Sequence, residues 1–238
     1  GPFMENNMRI FIYDEGTAGS LRPSEIKEYL LNKFGDIQIC IRGEFIEHYL
    51  RSLNEGQRER ASGELAEKFA SIKVRDISKP VLPHRPSVGE INYEKRRISL
   101  AQYKPSGILY DGVQYSLILF SMLNAGEIGH NTVHIVLTNQ LLGTYDPQDR
   151  RYHCRSSLLF FPSIISTTGI VEAPARPREY YVMRQRYSLF KPVDLVTAEL
   201  KELFKGRFID YEDERMTEVA KGLAMQAILY TLRGEGFC

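Results

Sequence analysis

MRIFIYDE (residues 8–15) and DIQICIR (36–42) alternate between apolar and polar positions and contain many β-branched residues, which indicates two strands. Between them, RPSEIKEYLLNKFG (22–35) has a proline at a first helical position and a glycine after the last turn, which indicates a helix. A strand, a helix and a second strand in this order predict an α/β layer with a right-handed crossover.

The rest of the chain continues this pattern. The expected helices are at 43–72 (broken near Asn54–Gly56), 109–126, 192–205 and 212–233. The expected strands are at 73–77, 132–141 and 154–173, the last range holding one or two strands. Asp146–Pro147 is typical of a turn between strands. We therefore predict an α/β fold in which a mixed β-sheet is flanked by helices and a helix ends the chain.

The composition is that of an ordinary globular protein. Of 238 residues, 43% are hydrophobic and 26% charged, and the net charge of +1 does not favour a general polyanion binder. No apolar run approaches the ~18 residues of a membrane span, and no signal-peptide pattern opens the chain. Cys40, Cys154 and Cys238 are widely separated and odd in number, which disfavours a disulfide framework. We expect a reduced, cytoplasmic protein without a membrane partner.

We expect residues 4–238 to form a single domain, because no repeat or low-complexity tract divides them. Residues 1–3 precede Met4 and are interpreted as a cloning remnant, so the native chain is expected to begin at Met4 or Met8. The segment SKPVLPHRPSVGEIN (78–92) holds three prolines and is a candidate seam or a long functional loop.

The last twelve residues, AILYTLRGEGFC (227–238), can be compared with the metzincin zinc motif H-E-x-x-H-x-x-G-x-x-H-C. Gly234 and Cys238 match this motif. The positions of the three histidines and the glutamate hold, in order along the motif, Ala227, Ile228, Thr231 and Phe237. The same residues also fit a plain core helix that ends at Gly234, since apolar residues recur from Met216 at helical spacing.

The segment from His134 to Tyr181 resembles an archaeal family of metallopeptidase-like proteins and, more distantly, the archaemetzincins. The resemblance covers about 107–238, and ISTTGIVEAPARPREYY (165–181) is its most specific part. It implies a metzincin-like domain and C-terminal helix and, for the family, a catalytic zinc. Alanine, isoleucine and phenylalanine cannot bind zinc or accept a proton, so we expect no catalytic residues and no cofactor.

The preferred function is therefore that of a non-catalytic pseudopeptidase that binds a peptide or protein. Such a protein is expected to have an empty cleft beside the last helix, lined by Ala227 and Thr231. Binding is expected from two segments, Thr132–Tyr152 and Ser163–Tyr181. An enzyme of unrecognised chemistry at the same cleft is a further alternative.

A different zinc site is a weaker alternative. His130 and His134 have the spacing of a zinc helix, and His153 and Cys154 follow later in the chain. However, the run that holds His134 is strand-like, and residues four apart on a strand are about 13 Å apart. We therefore expect His134 to be packed at the mouth of a strand.

Basic and aromatic residues are interleaved between 150 and 191. This pattern suits a nucleic-acid or acidic partner, because basic side chains bind phosphates and aromatic rings stack on bases. It also suits an ordinary solvated basic face. The candidate binding residues are Arg150, Arg151, Arg155, Thr168, Glu172, Arg176, Arg178 and Tyr180.

Overall fold

The computed structural model describes residues 7–16, 19–82, 84–100, 105, 107–174, 178–187, 189–204, 206 and 209–233. The strands are β1 (Arg9–Asp14), β2 (Gln38–Arg42), β3 (Leu109–Asp111), β4 (Thr132–Thr138), β5 (Leu141–Asp146), β6 (Arg151–Arg155), β7 (Ser157–Leu158) and β8 (Ser163–Ser166). The helices are α1 (Pro23–Phe34), α2 (Phe45–Arg51), α3 (Glu55–Ser71), α4 (Val88–Ser99), α5 (Gly112–Phe120), α6 (Thr167–Glu172), α7 (Arg178–Tyr187), α8 (Val193–Leu203) and α9 (Arg215–Arg233), and a 3₁₀ turn spans Ala125–Glu127.

Five of the described strands form a central sheet in the order β2-β1-β4-β8-β7. β1 is parallel to β2 and to β4, and β4 is parallel to β8. β7 runs antiparallel to β8 and lies at one edge of the sheet. The central sheet is therefore mixed, with one short reversed strand at its margin.

Both faces of this sheet are covered. Ile10 and Ile12 of β1 pack into an apolar cluster with residues of α1 and α9, whereas Phe11 and Tyr13 pack into a second cluster with residues of α2, α3 and α5. Successive residues of a strand point to opposite faces, so β1 needs apolar side chains at every one of these positions. All seven residues of β4 are buried for the same reason.

The remaining three described strands form a smaller sheet in the order β3-β5-β6. It meets the central sheet where the backbone at Arg155–Ser156 passes Gly169 in α6. A Cβ atom at position 169 would overlap the carbonyl oxygen of Arg155, so only glycine allows this approach. The Ser166 side chain caps α6 by accepting a hydrogen bond from the Gly169 amide at 2.9 Å.

The structure confirms the predicted mixed α/β fold with a C-terminal helix. The predicted break near Asn54–Gly56 is real, because the side chain of Asn54 caps α3 in a capping box with Gln57. The predicted turn at Asp146–Pro147 joins β5 to β6. The expectation of a strand at 73–77 was wrong, since only Lys73 forms a bridge, to Tyr110.

Three helices were missed by the sequence analysis, and one of them is α4, which begins within the proline-containing segment 78–92. α6 lies inside the range interpreted as strand, and α7 lies in the basic region for which no helix was predicted. Residues 78–82 form no regular structure, and α4 begins at Val88. Ile77 and Val81 are tied to Tyr152 of β6 by hydrogen bonds. The single domain at 4–238 and the seam within it stay predictions.

Candidate functional site

The helix α9 carries three of the four positions at which the metzincin motif is lost. Ala227 and Ile228 are completely buried in the apolar cluster shared with α1, β1 and β4. The hydroxyl of Thr231 donates to the carbonyl of Ala227, 3.0 Å away, as serine and threonine often do within helices. Phe237 lies outside the described residues.

This burial corrects one expectation. Ala227 does not line an open cleft, because its side chain packs against the central sheet. Thr231 is only partly buried and lies one turn further along α9.

His134, one of the alternative ligands, lies on β4 and faces the side of the sheet opposite α9. Its ring stacks on Phe11 at a centroid distance of 5.1 Å and is buried. Both ring nitrogens have hydrogen-bond partners, Tyr13 and the carbonyl of Glu127. His134 is thus packed within a strand of the core, and its nitrogens are occupied.

The other alternative ligands are not brought to His134. His153 and Cys154 lie on β6 of the smaller sheet, where adjacent residues point to opposite faces. His153 pairs with Asp149 at 2.7 Å, and burial raises the pKa of the Cys154 thiol. His130 is exposed, before β4. Within the described part of the chain, no three His, Cys, Asp or Glu side chains are placed to hold a metal ion.

The candidate binding residues are spread over several elements. Arg150 and Arg151 are exposed at the turn between β5 and β6, and Arg155 donates to the Thr144 hydroxyl at 2.7 Å. Thr168 donates to the carbonyl of Asn139 at 2.5 Å, so its hydroxyl supports the loop after β4.

The remaining candidates lie further along the chain. Glu172 is exposed at the end of α6 and accepts a hydrogen bond from Tyr211 at 2.8 Å. Arg176 lies outside the described residues. Arg178 and Tyr180 belong to α7, but their side chains lie outside what the structure describes.

The strand β7 lies at the edge of the central sheet. The Ser166 amide donates to the Ser156 carbonyl, and Ser157 pairs with Ile165. Since hydrogen-bonded pairs alternate along an antiparallel ladder, the amide and carbonyl of Ser157 point away from β8. No further strand among the described residues pairs with this edge.

The helix α5, which approaches β7 at Gly112, carries an exposed apolar stripe. Val113, Leu117 and Phe120 have helical spacing and are 39%, 52% and 46% exposed. A Cβ atom at Gly112, the start of α5, would lie 2.6 Å from Leu158 of β7. At the other end of α5 the rings of Phe120 and Phe161 are 6.4 Å apart. The helix α5 therefore runs past residues 158–161.

A buried polar group, here called the sealed cluster, consists of Glu94, Arg97, Tyr110 and Tyr115. Glu94 accepts from Arg97 at 2.7 Å and from Tyr110 at 2.5 Å, and Arg97 donates to Tyr115 at 3.5 Å. The Glu94 and Arg97 side chains are 0% and 2% exposed. Burial raises the pKa of both tyrosines, so their hydroxyls stay protonated.

A second group, the open cluster, consists of Tyr13, Arg42, Glu127 and His134. Arg42 donates to both carboxylate oxygens of Glu127, at 2.5 and 2.8 Å, and to the hydroxyl of Tyr13 at 2.9 Å. Tyr13 in turn lies 3.0 Å from His134 Nδ1, and His134 Nε2 lies 2.8 Å from the Glu127 carbonyl. One pattern satisfies every group: Tyr13 donates to Nδ1, and a neutral His134 donates from Nε2.

The electrostatics of the open cluster agree with this pattern. The Arg42 hydrogen bonds hold the pKa of Glu127 below its ordinary value and raise that of Arg42. Burial raises the pKa of Tyr13 and lowers that of His134, which keeps both groups neutral near pH 7. The cluster is therefore one ion pair joined to two neutral side chains.

Sequence reasoning missed both clusters as groups. Arg42 and Glu127 are 85 positions apart, and Tyr13 and His134 are 121 positions apart. The one local signal was the Glu94–Arg97 spacing of three in a helix, which allows contact but does not reveal burial.

The chain belongs to the family described as "Probable metallopeptidase family (DUF6775)", whose model matches residues 6–238. No curated protein and no solved structure matches it significantly. None of the described helices is long and apolar enough to cross a membrane. The metallopeptidase-like resemblance expected from residues 134–181 is confirmed at the level of this family.

Proposed function

We propose that this protein is a pseudopeptidase that binds an extended peptide at the free edge of β7 and does not hydrolyse it. The observation that carries the proposal is this edge, with its outward-facing Ser157 backbone; α5, which carries the apolar stripe, approaches β7 at Gly112. An extended peptide can add to such an edge as a further strand, with backbone hydrogen bonds for affinity and side-chain contacts for specificity.

The family membership supports a peptide as the ligand, and the α9 residues support the loss of hydrolysis. A zinc peptidase needs imidazole or carboxylate ligands and a base for the metal-bound water. Ala227 and Ile228 supply neither a metal ligand nor a base, and both side chains are completely buried. The resemblance to archaemetzincins and the degenerate zinc motif are part of this proposal.

The α5 stripe suggests which peptides bind. Alternate side chains of an added strand point to the same face, so a peptide on β7 can place every second residue against Leu117 and Phe120. We expect apolar side chains at those alternate positions. The proposed edge lies between the two predicted binding segments along the chain. The first segment ends at Tyr152, and the second begins at Ser163.

The test uses fluorescein-labelled eight-residue peptides in which leucine alternates with serine and lysine. Saturable anisotropy is expected, with intact peptide by mass spectrometry after long incubation. Two peptides N-methylated at complementary alternate residues provide the matched control, because an added strand uses the amides of only one set. One should lose binding and the other should keep it; equal binding by both contradicts edge pairing.

A protein variant tests the stripe. Leu117→Ser should weaken binding, whereas Leu195→Ser, which alters a similarly exposed leucine (58%) on α8, should not.

Elemental analysis of protein purified without added metal or a histidine tag should find no stoichiometric zinc. Near-stoichiometric zinc or a cleaved peptide would refute the pseudopeptidase. If no peptide binds and an oligonucleotide binds with an affinity that weakens steeply with salt, the basic and aromatic residues between 150 and 191 would be favoured as the binding site.

A further inference from the structure

A cavity of about 150 Å³ lies beside the open cluster, where α2 and the segment after α5 meet β1. Its walls include Phe45, Tyr49 and Met122, and Tyr13 and Glu127 contribute polar groups. β4 and β8 separate β1 from β7, so this cavity is distinct from the edge invoked in the proposed function.

The charges around the cavity favour a neutral ligand. Both oxygens of Glu127 accept from Arg42, so a cation would gain little from the carboxylate and would meet the adjacent guanidinium. An anion would find Arg42 already engaged. Among the described lining residues His48 is the remaining basic group, and burial and the nearby Arg42 lower its pKa, which keeps it neutral at pH 7.

The walls and the volume favour a single ring. Phe45 and Tyr49 present aromatic surface, and a ligand ring can pack against them edge-on or offset. A cavity of roughly 150 Å³ is known to hold one benzene-sized molecule when its walls are apolar.

The carboxylate fixes the polar end of the ligand. Each carboxylate oxygen has two lone pairs, and Arg42 uses one on each oxygen of Glu127. The remaining lone pairs can accept a hydrogen bond from a bound hydroxyl. A ligand that donates one hydrogen bond and is otherwise apolar therefore matches both ends of the cavity.

We propose that this cavity binds a neutral monocyclic aromatic ring that bears one hydrogen-bond donor, of which a phenol is the simplest example. Two sources carry this chemistry, a free phenolic small molecule and the side chain of a tyrosine in a peptide. The inference stands independently of the β7 edge, because it uses none of the residues there.

The ligand series tests the chemistry directly. p-Cresol, toluene, benzoate and benzylammonium are titrated into the full chain and followed by calorimetry and by NMR of backbone amides. p-Cresol should bind saturably and shift amides of α2 and of residues 122–127. Toluene should bind at least about tenfold more weakly, since a hydrogen bond to a charged group contributes roughly 1.5–3 kcal/mol. The charged ligands should also be weaker.

A variant that fills the cavity tests its location. Ser52 lines the cavity, and its hydroxyl donates to the Tyr49 carbonyl at the end of α2. Ser52→Phe should abolish p-cresol binding. Ser99→Phe is the matched control, because Ser99 makes the same type of bond to Arg96 at the end of α4, away from the cavity. Equal loss in both variants would overturn the assignment.

A second variant keeps the shape and changes the charge. Glu127→Gln releases Arg42 from its ion pair, so p-cresol should bind more weakly and benzoate more tightly than in the unmodified chain. Unchanged affinities for p-cresol and benzoate would overturn the charge argument, as would toluene binding as tightly as p-cresol to the unmodified chain. N-Acetyltyrosinamide separates the two sources: binding as tight as that of p-cresol favours a tyrosine side chain, and its exclusion favours a free phenol. No saturable binding by any ring would overturn the site.

Discussion

Two Arg–Glu pairs border the same apolar cluster of this protein and have opposite surroundings. The Glu94–Arg97 pair in the sealed cluster is at most 2% exposed and is enclosed by tyrosine hydroxyls. The Arg42–Glu127 pair in the open cluster is 16% and 21% exposed and borders a cavity. The two pairs have the same chemistry and differ in their access to solvent.

The difference teaches how to separate a structural ion pair from a candidate binding group. In a sealed pair the cost of removing both charges from water is offset only by the partners already present, so removal of one partner is severe. In an open pair solvent or a ligand can replace a lost partner. Perturbation should therefore cost more folding stability in the first cluster than in the second.

The largest expected effect is that of Arg97→Met, which removes the nearer of the two cations beside the buried Glu94 and leaves Lys73, 3.7 Å away. The free energy of unfolding at pH 7 should fall by about 3–5 kcal/mol, as measured by urea denaturation. Arg51→Met is the control, because Arg51 forms an exposed pair with Glu47 and should lose less than about 1 kcal/mol. Equal losses in the two variants would show that burial does not set the cost.

A smaller loss, about 1–3 kcal/mol, is expected for Arg42→Met, since water can reach the carboxylate of Glu127. The same urea experiment measures it. The comparison between the clusters fails if Arg42→Met destabilises the protein as much as Arg97→Met does.

Acid pH tests the two titrating groups of the open cluster. The pKa of His134 is lowered by burial, so its contribution to stability is present above its ordinary value of 6.5 and is lost as the pH falls below it. The pKa of Glu127 is lowered by Arg42, so its contribution is present above 4.5 and is lost below that value. Unfolding free energies are measured from pH 7.5 to 3.5.

Two variants assign these slopes. His134→Gln should flatten the decline that begins at pH 6.5, and Glu127→Gln should flatten the decline below pH 4.5. A variant whose curve runs parallel to that of the unmodified protein would show that its group is not the one titrating.

The smallest expected effect is that of salt. In high NaCl the cost of Arg42→Met should shrink by a few tenths of a kcal/mol, because mobile ions screen the partly exposed pair. The cost of Arg97→Met should not change, since ions cannot enter the sealed cluster. Equal salt dependence of the two costs would indicate that both pairs are accessible to ions.

Local chemistry allowed much of the fold to be predicted. The alternation in 8–15, the helix break near Asn54–Gly56 and the Asp146–Pro147 turn each depend on neighbouring residues, and each is present in the structure. α6 was missed because SIIS and TTGIV read as one continuous strand. The signal that could have found it is Ser166 three residues before Gly169, a helix-cap spacing.

The candidate sites were less predictable for a physical reason. β1, β2 and β4 are adjacent only after the sheet has formed, and that adjacency brings Tyr13, Arg42 and His134 together. The histidine pair chosen from sequence, His130 and His134, reflects spacing alone, and the structure gives His134 other partners. The β7 edge depends on which strand is outermost, and a single sequence does not record the order of strands.

The contact between Gly169 and the Arg155 backbone has a genetic consequence. Every change at the first or second base of a glycine codon introduces a residue with a Cβ atom or a stop codon. At this position only third-base changes leave the protein intact. The junction of the two sheets is thus a site at which nucleotide sequences can drift while the encoded residue stays fixed, and related genes should differ there only silently.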